Sequence, residues 1–256
     1  MIAEKDFAGR QLLGVRPVQE DAYAFSEIAN AEGKIEGILL VAADGMGGHS
    51  AGERASDLAV KTFVDAFHAT PRSVRDRLSK SLAAADDAIR KELQRDPGLE
   101  GMGCTLVAVT MTAAGVEWIS VGDSPLYLLR GSTLKRLNED HSLRPVLQEL
   151  AEREGRPVDD HHPTASGNIL RSALTGDEIE MIDQSPEPLH LQRGDLILAA
   201  TDGIHSLNEG EIVATCADSE EIEAAVLANG LVQAIENAAN PKQDNVTIAV
   251  LKVPAL

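Results

Sequence analysis

The fold is decided by an apolar run that ends in an acid, Gly37-Ile38-Leu39-Leu40-Val41-Ala42-Ala43-Asp44-Gly45. A short apolar run bounded by glycines is typical of a buried β-strand. Further apolar runs of this kind also lie next to an acid, which follows the strand in two cases and precedes it in the third: Asp123, Asp202 and Asp244. If the last of these strands runs antiparallel to the others, all four carboxylates meet at one edge of the fold.

Carboxylates packed at one edge repel one another unless cations lie between them. Their oxygens are hard ligands, which favour Mg²⁺, Mn²⁺ or Ca²⁺ over Zn²⁺. Each acid is weak evidence by itself, because Asp-Gly and Asp-Asn pairs are common in turns. The set, in a fixed order at strand ends, predicts a metal centre that acts on an oxyanion such as phosphate.

A cation and two adjacent acids stand close together near the N-terminus, in Arg16-Pro17-Val18-Gln19-Glu20-Asp21. Arg16 could bind a phosphate through two parallel hydrogen bonds, while Glu20 or Asp21 holds a metal or a metal-bound water. A surface cluster of ion pairs would give the same pattern, so the segment taken alone leaves both interpretations open.

The composition narrows the class of protein. The chain has 256 residues and a formal net charge of −18, which disfavours nucleic acid and anionic membranes as partners. Cys104 and Cys216 are the only cysteines, and we expect two buried thiols rather than a disulfide. With no signal-peptide pattern and no apolar run long enough to cross a bilayer, we expect a cytoplasmic protein.

The pattern of elements predicts one domain over residues 1–256. Turns near residues 113–115 and 130–132 predict hairpins, so we expect mostly antiparallel sheets. Strand signals lie at residues 11–15, 22–28, 37–43, 104–111, 115–121, 125–130, 134–137, 195–200 and 245–252. Strands, a helix pair, more strands, then a helix and a last strand predict an α+β layered sandwich.

Helix signals fall between and after these strands. One helix has Ala55, Leu58, Ala59, Thr62, Phe63 and Ala66 on one face. A second begins at the cap Thr70 with the stripe Val74, Leu78, Leu82, Ala85, Ile89 and Leu93. A third starts after Ser142, and a fourth is capped by Ser219. We expect His141 to anchor the third helix and a polar flap, with His161 and His162, over residues 144–167.

An ordered set of short motifs covers almost the whole chain, from Arg10 to the last strand. The motifs are Arg-x-x-x-Glu-Asp (16–21), Asp-Gly-Met-Gly-Gly-His (44–49), Gly-Cys-Thr-Leu (103–106), Val-Gly-Asp-Ser (121–124), Thr-Asp-Gly (201–203) and Asp-Asn-Val-Thr (244–247). As a set they resemble the bacterial branch of the metal-dependent Ser/Thr protein phosphatases, the PPM or type 2C family.

The resemblance implies a four-layer αββα sandwich with two Mg²⁺ or Mn²⁺ ions, and possible room for a third, in a cleft between two sheets. It implies that a water between the two ions attacks phosphorus in line. The implied metal ligands are Asp44, the Gly45 carbonyl, Asp202 and Asp244, with Asp123 at the third ion and Asp21 binding directly or through water. The implied catalytic residues are Arg16, which binds the phosphate, together with Glu20 and Asp21.

The sequence departs from the family pattern around the site. Gln19 stands where the family has Asn, and Pro125 stands where Arg is usual. Met46 occupies the place of a histidine that protonates the leaving group in some eukaryotic members, and His49 does not simply substitute for it. In residues 168–176 the Arg comes one place early and the Gly one place late. These departures bear on substrate preference and on the general acid.

The sequence is compatible with three functions. The resemblance favours an active phosphoserine and phosphothreonine phosphatase, a monomer whose partners are phosphorylated proteins such as a Ser/Thr kinase or its targets. A phosphatase fold without turnover, serving as a regulatory or binding module, is the alternative. A metal-dependent nuclease or small-molecule phosphodiesterase is the third, and the −18 charge disfavours the nuclease.

Overall fold

A computed structural model describes residues 1–30, 32–48, 51–154, 169–217 and 219–253 of the chain. The strands are β1 (Phe7–Leu12), β2 (Asp21–Ala29), β3 (Ile35–Met46), β4 (Gly103–Cys104), β5 (Leu106–Thr112), β6 (Gly115–Val121), β7 (Leu126–Arg130), β8 (Thr133–Arg136), β9 (Asp183–Gln184), β10 (Leu196–Ala200) and β11 (Val246–Lys252). The helices are α1 (Ala51–Ala69), α2 (Val74–Arg95), α3 (Arg144–Glu154), α4 (Glu209–Thr215) and α5 (Ala224–Ala238).

The strands form two antiparallel sheets, as the sequence predicts. One sheet has the order β1-β11-β10-β7-β8, and the other has the order β2-β3-β5-β6-β9, with β4 pairing to the far end of β3. Helices α1 and α2 cover the second sheet, and α4 and α5 cover the first. The predicted α+β fold of four αββα layers is therefore confirmed.

The apolar run of β3 lies at the centre of this sandwich. In β3, Leu39 and Val41 pack under α1 and α2, whereas Ile38 and Leu40 pack between the two sheets. Both faces of the strand are buried, which explains why its sequence is continuously apolar rather than alternating. The third apolar cluster lies under α4 and α5, on the outer face of the first sheet.

Two predicted helix starts are wrong, and the hydrogen bonds show why. The Thr70 hydroxyl donates back to the Ala66 carbonyl of α1, while Ser73 accepts the Asp76 N–H and caps α2. Ser219 does not cap a helix, because α5 begins at Ala224. Helix α4 was not predicted.

Most apolar faces and strand positions are confirmed. The stripe of α2 is buried at Leu78, Leu82, Ala85 and Ile89. The first strand is Phe7–Leu12 rather than residues 11–15, because its pairing with β11 ends at Leu12 opposite Val246. Both cysteines are free and buried, as predicted.

The predicted flap is described only in its first part. Residues 144–154 form α3, while the remainder of the predicted flap, with His161 and His162, lies outside the described residues, as does His49. In the described part of the chain, no helix is long and apolar enough to cross a membrane.

Candidate active site

The acids that the sequence places at strand ends line one cleft of about 680 Å³. Asp44 lies near the end of β3 and Asp123 follows β6, at one edge of the second sheet. Asp202 follows β10 and Asp244 precedes β11, and these two strands are antiparallel neighbours in the first sheet. The convergence predicted from the strand pattern is thus present, with the acids of both sheets facing a shared cleft.

Asp44 lies close to the other acids of the cleft. It pairs directly with Asp21 across β2 and β3. Its N–H donates to the Thr105 hydroxyl at 3.1 Å, and its carbonyl accepts the Thr105 N–H at 2.9 Å. Burial raises the pKa of Asp44 well above its usual value, and the charges of Asp21, Asp202 and the other two cleft acids add to this rise.

Gly45 lies where the backbone of three segments meets. A Cβ at this position would lie 2.1 Å from the Gly52 carbonyl oxygen of α1 and 2.4 Å from the Glu20 carbonyl oxygen. The Gly45 N–H donates to that same Glu20 carbonyl at 3.0 Å. Only glycine allows this approach, which brings the start of α1 and the Glu20 backbone against the end of β3.

Asp21 lies behind Asp44 and is not part of the cleft wall. Its Oδ2 accepts hydrogen bonds from the Thr201 and Thr247 hydroxyls at 2.8 and 2.9 Å, whereas its buried Oδ1 has no partner among the described residues. Burial raises the pKa of Asp21 to about 7, with Asp202 and Asp244 adding to the rise and the two threonines opposing it.

Asp123 and Asp202 have perturbed acidities as well. Burial, together with the charges of Asp202 and Asp140, raises the pKa of Asp123 to about 7. Burial also raises the pKa of Asp202, with Asp244 as the next cause. Strongly raised pKa values concentrated in one cleft are typical of functional sites, where a bound cation compensates the clustered negative charge.

Arg16 lies beside these acids at the mouth of the cleft. Its Nη2 is 2.6 Å from Asp244 Oδ2, and its Nη1 is 3.7 Å from Glu20 Oε2. The Arg16 side chain is 45% exposed, so its guanidinium remains accessible to an anion from solvent. Burial raises the pKa of Glu20, while Arg16 opposes that rise.

Two amides hold the segment that carries Arg16 and Glu20. Asn245 accepts the Glu20 N–H at 2.8 Å and donates to the Leu13 carbonyl at 2.9 Å. Gln19 accepts the Asp21 N–H at 3.0 Å and donates to the Leu12 carbonyl at 3.3 Å. Gln19 is thus engaged with backbone, and its longer arm does not enter the cleft.

The structure also places two other residues that depart from the family pattern, Pro125 and Met46. Pro125 is buried, and its carbonyl accepts the Ala200 N–H at 3.0 Å. Met46 lines the cleft. No histidine of the described chain lines it, so the structure identifies no imidazole to protonate a leaving group there.

Divalent cations fit the donors of this cleft. Its carboxylate oxygens and the Gly45 carbonyl are hard ligands, and the partnerless Asp21 Oδ1 lies behind them. In the described part of the chain, no three acidic, histidine or cysteine side chains are already grouped closely enough to hold one ion. Asp244 instead accepts a hydrogen bond from Arg16, and Asp21 accepts hydrogen bonds from the Thr201 and Thr247 hydroxyls.

A second wall of the cleft, here called the far wall, comes from residues 170–180. It contributes Arg171, Ser172 and Thr175 as well as the exposed acids Asp177, Glu178 and Glu180. The sequence analysis noted residues 168–176 as a departure from the family pattern, but it predicted no catalytic residue or metal ligand among them. Thr201, Thr247 and Asn245 were also missed as site residues, although each stands within a quoted motif.

Comparisons with known proteins identify the family. The family model described as Protein phosphatase 2C matches residues 9–220. The serine/threonine protein phosphatase PstP of Mycobacterium tuberculosis is 33% identical over 219 residues, which are 84% of this chain and 40% of that protein. The serine/threonine phosphatase stp of Listeria welshimeri is 34% identical over 174 residues, which are 66% of this chain and 67% of that protein.

A solved structure of the catalytic domain of PstP in complex with two manganese ions is also similar. It has a TM-score of 0.75 and 30% identity, and the match covers 97% of this chain and 98% of that one. The chain spans less than half the length of the PstP protein that it matches. Because the family model covers most of the sequence, the chain belongs to the protein phosphatase 2C family.

Proposed function

We propose that this chain is a metal-dependent phosphatase that hydrolyses phosphoserine and phosphothreonine in proteins. The observation that carries the proposal is the convergence of Asp44, Asp123, Asp202 and Asp244 on one cleft, with the exposed guanidinium of Arg16 beside them. Hard ligands for cations and a group that binds phosphate are the two requirements of metal-assisted phosphate hydrolysis.

The cations would be Mn²⁺ or Mg²⁺, held by Asp44, the Gly45 carbonyl, Asp202 and Asp244, with Asp123 available to a third ion. When bound, two such cations would lower the pKa of a coordinated water and so supply the nucleophile for in-line attack on phosphorus. The raised pKa values of Asp44 and Asp202 support a site at which a proton or a cation compensates the clustered negative charge.

The chain's own residues would bind and orient the substrate. Arg16 would bind the phosphoryl oxygens, because a guanidinium presents parallel donors to such a group. Asp244 now holds Arg16 at 2.6 Å, and its recruitment to a cation would release the guanidinium for the substrate. Glu20 borders the cleft, and Asp21 lies behind Asp44, so these two would orient water and ligands.

The proposed partners follow from this chemistry. Related proteins are named as serine/threonine phosphatases, so phosphorylated proteins are the proposed substrates, with a Ser/Thr kinase or its targets among them. We further propose that the chain works as a monomer in the cytoplasm. The acidic surface implied by a net charge of −18 supports protein rather than nucleic acid as the substrate class.

The test is the initial rate of phosphate release from a phosphothreonine peptide and from p-nitrophenyl phosphate. Each substrate is assayed with Mn²⁺, with Mg²⁺ and with EDTA, for the wild type and for Asp202→Asn. We expect release that requires a cation and that falls at least about a hundredfold in the variant. Folded wild-type protein that releases no phosphate with either cation would instead favour the binding module.

A further inference from the structure

Asp123 follows a turn whose backbone conformation favours glycine. Gly122, just before it, has a φ of +102°, and a Cβ there would lie 2.6 Å from Thr105 Cγ2. Arg136 supports the turn from the β7–β8 hairpin, because its Nη2 donates to the Asp123 carbonyl at 2.8 Å. The position of the Asp123 carboxyl therefore depends on groups that hold this turn in place.

His141 holds the same turn from another direction. The Gly122 N–H donates to His141 Nδ1 at 3.2 Å, and the His141 N–H donates to the Gly122 carbonyl at 3.1 Å. The His141 carbonyl also accepts the Arg171 N–H at 2.8 Å, from the opposite wall of the cleft. One fully buried residue thus bonds both to the turn that carries Asp123 and to the far wall.

The link to the far wall extends beyond one bond. Ser142 forms an isolated antiparallel bridge with Leu170, and the Leu143 N–H donates to the Ile169 carbonyl at 2.9 Å. Residues 141–143 therefore run beside residues 169–171. His141 lies at the end of this pairing that is nearest to the Asp123 turn.

The tautomer of the His141 ring is the one that can accept the hydrogen bond from Gly122. Because Nδ1 accepts a hydrogen bond, the neutral ring carries its proton on Nε2, which is buried and has no partner among the described residues. Burial lowers the pKa of His141, so the ring stays neutral and Nδ1 remains an acceptor. A buried Nε2–H without a partner destabilises the fold. Any favourable hydrogen bond of the His141 ring is therefore the one that Nδ1 accepts from Gly122.

We propose that His141 is a positioning residue that couples Asp123, a candidate cation ligand, to the far wall of the cleft around Arg171. The proposal rests on the proposed function, because it concerns a ligand of the proposed cation site. When a substrate displaces the wall, the His141 carbonyl and ring carry that displacement to the Gly122 turn. Cation binding at Asp123 and substrate binding at the wall are then linked.

A matched pair of variants tests the Nδ1 bond. In His141→Asn the amide oxygen can take the place of Nδ1, whereas in His141→Gln the amide is one methylene too far along the side chain. For His141→Gln we expect weaker Mn²⁺ binding in calorimetry, by about tenfold at the weakest site, with a smaller change in KM at saturating Mn²⁺. His141→Asn should recover most of the affinity. Equal losses in the two variants, or none in either, would overturn the proposal.

A measurement on the wild type covers the case in which a variant does not fold. Nitrogen-15 histidine NMR of the full chain, with the His141 ring assigned through its contact to the Gly122 N–H, should show His141 resonances that move as Mg²⁺ is added. His141 resonances that stay fixed while Mg²⁺ binds would contradict the coupling. This readout needs no turnover, so an inactive wild type would refute the proposed function without deciding the role of His141.

Discussion

Asp21 is a carboxyl group that the fold buries beside other acids. Its folded pKa is about 7, whereas its ordinary value is 3.8. A raised acid pKa means that the folded state binds the proton more tightly than the unfolded state does. The resulting stability is fully present below pH 3.8 and is lost as the pH rises through about 7. Asp123 behaves in the same way.

We therefore predict that, in EDTA, the wild type loses stability relative to Asp21→Asn as the pH rises from about 5 to 8. Asparagine keeps a similar shape without the charge. Thermal unfolding of both proteins across this range measures the difference. A gap between the two midpoints that stays constant with pH would mean that the pKa of Asp21 is not raised in the folded protein.

Added Mn²⁺ should reverse this trend. Carboxylate ligands bind a cation in their deprotonated form, so the stabilisation that Mn²⁺ gives should grow as the pH rises. We expect a larger increase in the unfolding midpoint at about pH 8 than at about pH 5.5. An increase that is equal at both values would place the cation away from these buried acids.

Gly45 is constrained by space and not by its backbone angle. In Gly45→Ala the new methyl group would meet the Gly52 and Glu20 carbonyl oxygens at 2.1 and 2.4 Å, so the end of β3 must move. We predict a loss of stability of about 1–3 kcal/mol and a larger loss of phosphatase activity. Gly48→Ala is the matched control in the same motif, because a Cβ there meets nothing within 4 Å. Equal behaviour of the two variants would refute the packing argument.

Helix α2 is attached to the sheet through its buried stripe. Leu82 is 1% exposed and packs in the cluster under α1 and α2. We predict that Leu82→Ala lowers the free energy of unfolding by about 2–5 kcal/mol. Val226→Ala on α5, where the side chain is 55% exposed, should change it by less than about 0.5 kcal/mol. Urea denaturation compares them, and similar midpoints for both variants would contradict the assigned burial.

Elements whose own sequence determines their structure were predicted, whereas elements that depend on distant contacts were not. The run around Leu39 and Leu40 indicates a strand by itself, since both of its faces are buried. Strand β9 contains only Asp183 and Gln184, and it exists because it pairs with β6. The start of α2 was misplaced because Thr70 and Ser73 are both acceptable caps, and the Thr70 hydroxyl bonds back to α1 while Ser73 caps α2.

The same distinction applies to the site. The strand-end acids were predictable, because each follows or precedes an apolar run whose topology places it at one edge. The threonines that hold Asp21 were not, since Thr201 and Thr247 come from different strands and meet Asp21 only in the folded protein. The far wall with Arg171 has no sequence periodicity, and it joins the cleft through its pairing with residues 141–143.

The charge of the whole molecule bears on substrate choice. The net charge is −18, and Asp177 and Glu178 on the far wall have no ion-pair partner in the described chain. We predict that phosphothreonine peptides with flanking Lys or Arg have a higher kcat/KM than peptides with flanking Glu. This preference should weaken between about 50 and 500 mM salt, because ions screen surface charges. A preference for acidic peptides would contradict it.

We propose that acids from both sheets form one cation site in the cleft. Calorimetric titration of the full chain with Mn²⁺, beside Asp44→Asn, measures this, because Asp44 lies close to the other acids in the folded protein. We expect the wild type to bind at least two ions and the folded variant to lose that binding. A folded wild type that binds no Mn²⁺, or a variant that binds it equally well, would contradict the proposed site.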